Sequence, residues 1–146
     1  MWNVCEVFVD INYEGEAITP FNFGESTTFG EFGCIELIEV SNLGDLPIQS
    51  FRGDNGWNDI ISSMYFRVNE GADASKLTVH KHINFNGYQE NWFIATVLPW
   101  GDPANVNIPM LFDDLRDNKW CWFCGNLNDD ISSMKFQNWW AGCFTG

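Results

Sequence analysis

Basic residues are scarce in this chain: 7 Lys and Arg stand against 20 Asp and Glu among 146 residues, giving a formal net charge of −13. Such an acidic surface repels phosphate backbones, which argues against a nucleic-acid partner, and it attracts cations. Only two histidines are present, and no Gly-x-Ser-x-Gly, His-Glu-x-x-His or P-loop pattern occurs. We therefore expect a binding protein rather than an enzyme.

Long hydrophobic runs are also missing. Residues 92–98 form one of the longest, far short of the roughly 20 residues that a membrane-spanning helix needs. The first residues lack the positive region and apolar stretch of a signal peptide, and no Asn-x-Ser/Thr glycosylation acceptor occurs. We expect a soluble protein without a membrane span, monomeric or weakly dimeric. The compartment, extracellular or cytoplasmic, stays open.

The cysteines give an ambiguous pattern. There are five, an odd number, and Cys121 and Cys124 form a lone CxxC. A structural disulfide and buried thiols both fit this spacing. Zinc bound with the help of His80 and His82 is a further alternative, although a single CxxC supplies only two of the four ligands of a structural zinc site.

Helical periodicity is absent, and the pattern is one of strands and turns. Apolar residues make up 45% of the chain and aromatic residues 16%, enough for a packed core. Alternating or β-branched stretches predict strands near residues 4–11, 34–40, 61–68, 77–82, 92–98 and 131–136. One short helical turn is expected near 109–116. The sequence predicts an all-β sandwich in which each half of the chain forms one four-stranded antiparallel unit.

Two stretches seventy residues apart are nearly identical. Seven of nine positions match between residues 58–66 and 128–136, including the polar series Asn-Asp-x-x-Ser-Ser. A second echo lies upstream, where Phe8-x4-Tyr13-x-Gly15 is repeated as His80-x4-Phe85-x-Gly87. Two elements in the same order at nearly the same spacing indicate internal duplication.

The paired elements resemble those of the calcium-binding members of the βγ-crystallin superfamily. In that family an aromatic-x4-aromatic-x-Gly hairpin opens each Greek-key motif, and (Asn/Asp)-(Asn/Asp)-x-x-(Ser/Thr)-Ser follows. The resemblance implies a single domain over residues 1–146, a sandwich of Greek-key motif A (about 1–72) and motif B (about 76–146). His80 departs from the pattern because it replaces the first aromatic residue, and we interpret it as a packing residue.

The resemblance also implies two Ca²⁺ ions per chain, each shared between the motifs. The first site would take the Ile60 carbonyl, the Ser62 hydroxyl and the Asp129 carboxylate. The second would take the Asp130 carbonyl, the Ser132 hydroxyl and the Asp59 carboxylate. Carbonyls near Val9 and Lys81 would complete the protein ligands. These are the hard oxygen donors that calcium prefers, although Asn, Asp and Ser at such a spacing also serve as turn residues alone.

The remaining residues of the element have an expected structural role. Ser63 and Ser133 are predicted to bond to the opening hairpins, and Asn58 and Asn128 to hold the turns. Each half is longer than the roughly 40 residues that four strands and ordinary loops need. We expect long insertions at about 16–56 and 88–127 that carry many of the tryptophans. An alternative function is therefore a lectin-, toxin- or inhibitor-like module that binds a protein or glycan through these loops.

Overall fold

The fold is described from a computed structural model over residues 4–30, 33–48, 56–69, 72–95 and 109–140. Within these ranges the strands are β1 (Cys5–Asp10), β2 (Glu14–Ile18), β3 (Glu25–Phe29), β4 (Ile35–Val40), β5 (Ser63–Phe66), β6 (Ala72–His82), β7 (Asn86–Ala95), β8 (Met110–Phe112) and β9 (Ser133–Trp140). Short 3₁₀ turns cover Pro20–Asn22, Leu43–Asp45, Ile83–Phe85 and Leu115–Asp117. The prediction of an all-β fold is confirmed.

The strands form two antiparallel sheets, and each sheet contains strands from both halves of the chain. One sheet has the order β2-β1-β5-β8, and the other has the order β3-β4-β9-β6-β7. Strands β3 and β4 of the first half thus extend the sheet of the second half, while β8 extends the sheet of the first. The expectation of one self-contained four-stranded unit per half is wrong in this respect, because the halves exchange strands.

The duplicated apolar positions meet in the core between the sheets. Phe66 of β5 and Phe136 of β9 are fully buried, with their ring centroids 6.3 Å apart. Fully buried side chains from several elements surround them, among them Trp57, Ile38, Leu43, Ile61, Met64, Leu77, Leu115, Leu127, Ile131 and Met134. The alternation of a half-buried strand explains why the same residues of each repeat face inwards.

The opening hairpins of the two halves are folded in the same way. Asn12 and Tyr13 both have positive φ, 60° and 59°, as do their counterparts Asn84 and Phe85, 57° and 60°. Gly15 follows with φ 78°, and a Cβ added there would approach the Val9 and Asp10 side chains to 2.6 Å. Any larger residue at position 15 would therefore disrupt the first hairpin.

Much of the segments predicted as insertions is regular structure. Strands β3 and β4 lie within 16–56, and most of β7 and all of β8 lie within 88–127. The helical turn expected at 109–116 is wrong over its first part, which is strand β8, whereas a 3₁₀ turn begins at Leu115. Motif B also begins its first strand earlier than expected, at Ala72.

Two of the cysteines behave as the disulfide alternative predicts. Cys121 and Cys124 are bonded to each other, which removes the CxxC thiols as zinc ligands. Cys5 is buried as a free thiol, and burial raises its pKa far above the ordinary value, so it is unreactive. No helix in the described part of the chain is long and apolar enough to cross a bilayer.

Candidate metal centre

The two Asn-Asp-x-x-Ser-Ser turns lie against each other at the boundary between the halves. Asp59 and Asp129 have positive φ, 59° and 54°, so each turn is bent at its second residue. The Asp59 amide donates to the Ile131 carbonyl at 3.1 Å, and the Asp129 amide donates to the Ile61 carbonyl at 3.0 Å. These reciprocal backbone bonds place the aspartate of each turn beside the serines of the other.

The side chains repeat this crossed arrangement. Ser62 Oγ donates to Asp129 Oδ1 at 3.1 Å, and Ser132 Oγ donates to Asp59 Oδ1 at 3.0 Å. Both serines are buried, while both aspartates are exposed, so each pair forms the wall of a site open to solvent. The hydroxyl and the carboxylate that were predicted to bind the same ion are therefore adjacent to each other in space.

Backbone carbonyls lie next to both pairs. Those of Ile60 and Asp130 accept no hydrogen bond from any described residue. The hairpin strands pass close by, because the Ser62 amide donates to the Phe8 carbonyl and the Ser132 amide to the His80 carbonyl, each at 2.9 Å. The predicted carbonyl donors Val9 and Lys81 are the next residues along these strands.

The asparagines that open the turns contribute a further observation. The side-chain carbonyls of Asn58 and Asn128 are buried, and neither has a hydrogen-bond partner among the described residues. Leaving a buried acceptor unpaired costs about 1–3 kcal/mol. The orphaned oxygens occupy the same position in both turns, so the neighbourhood of each site has an excess of oxygen acceptors over donors.

The residues present fit calcium. Calcium takes 6–8 oxygen ligands from carboxylates, carbonyls, hydroxyls and water. A carboxylate and a hydroxyl are paired at each turn, and the carboxylates are exposed to solvent. The predicted carbonyls belong to residues that lie one or two positions away, along the turn or along the hairpin strand bonded to it. No group of three or more His, Cys, Asp or Glu side chains suited to a metal occurs in the described ranges. The predicted sites do not require one, because each uses a single carboxylate.

The two sites differ in the side chain of Asp130, for which only a carbonyl role was predicted. Asp130 occupies the position of Ile60, and its Oδ2 accepts the Lys81 ammonium at 2.5 Å and the Trp120 indole N–H at 2.8 Å. The Lys81 side chain therefore brings a cation close to the second site, in addition to the Lys81 carbonyl that is predicted to be a ligand. The signal in the sequence is that Asp130 stands in the second copy where the first has Ile60, and Lys81 where the first has Val9, which adds one acid and one base.

The second serine of each element has the predicted structural role. Ser63 Oγ donates to the Asp10 carbonyl at 2.6 Å and accepts the Tyr13 amide at 3.0 Å. Ser133 makes the same pair of bonds, to the His82 carbonyl at 2.7 Å and from the Phe85 amide at 3.1 Å. These contacts fasten each hairpin to its turn, so the prediction for Ser63 and Ser133 is confirmed.

Among known proteins, similarity is found at the level of structure. No family model matches the sequence, and no curated protein matches it. The N-terminal domain of protein S is similar with a TM-score of 0.44 and 18% identity, covering 90% of this chain and 92% of that one. A βγ-crystallin domain from Flavobacterium johnsoniae has a TM-score of 0.41 and 21% identity, covering 92% and 93%.

A βγ-crystallin from Ciona intestinalis is similar to the same degree. Its TM-score is 0.41 at 18% identity, covering 89% of this chain and 94% of that one. Since these scores are low, the assignment of the fold depends on features of the chain itself. The chain itself is a β-sandwich of two sheets, with strands exchanged between its halves, two hairpins folded in the same way and paired turns, and the solved structures to which it is similar include βγ-crystallin domains.

Proposed function

We propose that this chain is a calcium-binding module whose two ions are shared between its Greek-key halves and stabilise the fold. The observation that carries the proposal is the crossed pairing of Ser62 with Asp129 and of Ser132 with Asp59. Each pair joins a hydroxyl and a carboxylate from different halves. Under this proposal the chain binds an ion and does not catalyse a reaction.

The charge of the chain supports binding of a cation. A net charge of −13 attracts divalent ions and disfavours the compact state through self-repulsion. Bound calcium would offset part of that repulsion, and it would replace the Ser–Asp hydrogen bond with ligation by both oxygens. Binding to the native state alone adds about 2.7 kcal/mol to the free energy of unfolding at a hundredfold excess over Kd.

Calorimetric titration of metal-free protein with calcium tests the proposal. We expect two binding events in the wild type, loss of the first in Asp129→Asn and loss of the second in Asp59→Asn. Glu25→Gln is the matched control, because it removes one charge from an exposed position of strand β3. The proposal fails when the wild type gives no calcium-dependent heat, or when all three variants lose affinity equally.

A second candidate function, binding of a protein or glycan, is favoured by the loop that Cys121 and Cys124 close. Trp122 and Phe123 at its tip are 90% and 88% exposed, although large aromatic side chains are normally buried at least in part. The disulfide constrains the backbone that carries them. Trp120, in contrast, is 5% exposed and belongs to the core. Trp100, another tryptophan of the predicted insertion at 88–127, lies outside the described ranges.

Substitution of the loop tip tests this second candidate. Trp122→Ser and Phe123→Ser should abolish binding on a glycan array or in a pull-down without changing the melting temperature. Tyr88→Ser, at a residue of strand β7 that is 49% exposed, controls for the loss of an exposed aromatic side chain. Unchanged binding by both loop variants would remove the loop as the binding surface.

A further inference from the structure

A polar pocket lies on the outer face of the five-stranded sheet, on the side opposite the core. Its volume is about 250 Å³. Strands β6, β7 and β9 supply polar and basic side chains to its wall: Lys76, Thr78, His80, Gln89, Lys135 and Gln137. Leu77, Val79 and Phe136, which alternate with these residues, face the core.

His80 is buried in the wall of this pocket without a polar partner. His80 is only 3% exposed, and neither of its ring nitrogens makes a hydrogen bond with any described residue. Its ring packs edge-on against Phe85, with the centroids 5.6 Å apart. Packing accounts for the ring carbons but not for the two nitrogens. An unpaired buried donor or acceptor is costly, so its presence beside a pocket indicates a ligand that pairs with it.

The duplication provides an internal comparison for this face of the sheet. In the first half, Phe8 and Tyr65 occupy the positions of His80 and Lys135. The strand register is the same in both halves, because Phe8 lies opposite Ser63 as His80 lies opposite Ser133. Those two rings pack against each other with centroids 6.2 Å apart. The Greek-key fold is therefore satisfied by an aromatic cluster here, and the imidazole and ammonium of the second half are additions that the fold does not require.

The same comparison applies to Thr78, which lies opposite Lys135 and corresponds to Glu6 of the first half. Glu6 pairs with Tyr65 in the first half and accepts its hydroxyl at 3.0 Å, whereas Thr78 pairs with Lys135 in the second. An acid is thus replaced by a neutral donor in the half where lysines line the face. The change removes a negative charge from the neighbourhood of the pocket.

Two lysines dominate the charge of the pocket. Lys76 makes no ion pair with any described residue, and Lys135 has only a long contact to Glu39, at 3.9 Å, and a position 4.4 Å above the Phe85 ring. Lys76 pairs with Gln137, two residues from Lys135, so the two lysines are diagonal neighbours across β6 and β9, roughly 7–8 Å apart at the backbone. Two cations at this separation, offset in part by the Glu39 carboxylate beside Lys135, make this face of the sheet positive in a chain of net charge −13.

We propose that this pocket binds a small molecule through a carboxylate or phosphate group, held by Lys76 and Lys135 and bonded by His80. Gln89, Gln137 and Thr78 supply further donors at the rim. The volume lies just below the usual range of ligand pockets, so the ligand is a small acid rather than a polymer. The inference does not depend on calcium binding, because none of the proposed calcium ligands lines the pocket.

Titration of metal-free protein with succinate and, separately, with inorganic phosphate tests the proposal. The protein is freed of metal on a chelating resin, because a soluble carboxylate chelator would compete for the pocket. We expect a saturable shift of the His80 ring signals in NMR spectra at physiological salt, where exposed charges farther apart than about 8 Å are screened. The tighter of the two probes identifies the class of oxyanion.

Variants separate a specific pocket from a general effect of charge. Lys76→Gln and Lys135→Gln should each weaken binding at least about tenfold, the effect of losing one charge-assisted bond of about 1.4 kcal/mol or more. His80→Phe with Lys135→Tyr restores the residues of the first half and should abolish binding while keeping the fold; calorimetric titration measures binding here, because this variant has no His80 signal. Lys119→Gln removes an exposed lysine elsewhere and should change nothing. Absence of saturation with both probes, or equal weakening by Lys119→Gln and Lys76→Gln, would overturn the proposal.

Discussion

Ser62 and Asp129 are 67 residues apart in the chain, yet Ser62 Oγ donates to Asp129 Oδ1 at 3.1 Å. Ser132 and Asp59 repeat the relationship in the opposite direction. Each half thus supplies the carboxylate that completes the hydroxyl of the other. Anything that binds at these pairs therefore couples the two halves.

Calcium should raise the melting temperature, and both crossed pairs should be needed for the full rise. At a hundredfold excess over Kd, each ion adds about 2.7 kcal/mol, which corresponds to a shift of about 5–10 °C per occupied site for a chain of this length. Asp59→Asn combined with Asp129→Asn should abolish the shift while leaving the metal-free melting temperature nearly unchanged. Calorimetric melting with and without chelator measures both quantities, and an equal shift in the double variant would contradict the prediction.

Lys81 should weaken calcium binding at the second site. Its ammonium neutralises Asp130, and both side chains are about seven-tenths buried. Lys81→Met leaves the Lys81 carbonyl in place and removes the cation, so the affinity of the second site should rise about two- to fivefold, the range expected for a partly exposed ion pair. Titration of Lys81→Met resolves the two sites, and the first should stay as in the wild type. A rise at both sites would point to a general change in charge instead.

The two tryptophans on either side of Cys121 should differ in their effect on stability. Trp120 is 5% exposed and donates to Asp130, so Trp120→Ala should cost about 3–5 kcal/mol of unfolding free energy. Trp122 is 90% exposed, and Trp122→Ala should stay within about 0.5 kcal/mol of the wild type. Urea unfolding followed by circular dichroism measures both values. Similar losses in the two variants would show that the loop packs more tightly than described.

Stability should fall as the pH decreases below the ordinary range of histidine. Burial, with a smaller effect of the Lys135 charge, lowers the pKa of His80 from 6.5. On acidification the unfolded state takes up this proton first, so stability is lost as the pH falls from 6.5 through the lower folded pKa. Between about pH 7.5 and about pH 5.5, the wild type should therefore lose more melting temperature than His80→Phe. Parallel curves for the two proteins would contradict this, because the carboxylates titrate in both.

Much of the fold could be predicted from the sequence because the repeat fixes equivalent positions. Met64 and Phe66 alternate with polar residues in the first copy, as Met134 and Phe136 do in the second, and all four are buried. Strand β3 was missed for a physical reason. All five of its residues are exposed at the edge of a sheet, so its sequence carries no alternation between core and solvent.

The candidate site was predictable only in part. The aspartates and the serines follow from the motif, and the structure brings each serine together with the aspartate of the other turn. The carbonyl ligands stay a prediction. The asymmetry at Asp130 was not foreseen, because Trp120 reaches it from a segment that the repeat does not match. The exposure of Trp122 and burial of Trp120 could not be distinguished either, since the two residues belong to one short aromatic run.

The exchanged strands bear on how a chain like this can be divided. Half of the molecule expressed alone would leave one edge of its own sheet unpaired where strands of the other half belong, and its surplus strands would have no sheet to join. In two copies of one half, the surplus strands of each copy could pair with the open sheet edge of the other. A protein cut between β5 and β6 should accordingly stay associated, with its two fragments held together by backbone ladders rather than by a surface contact.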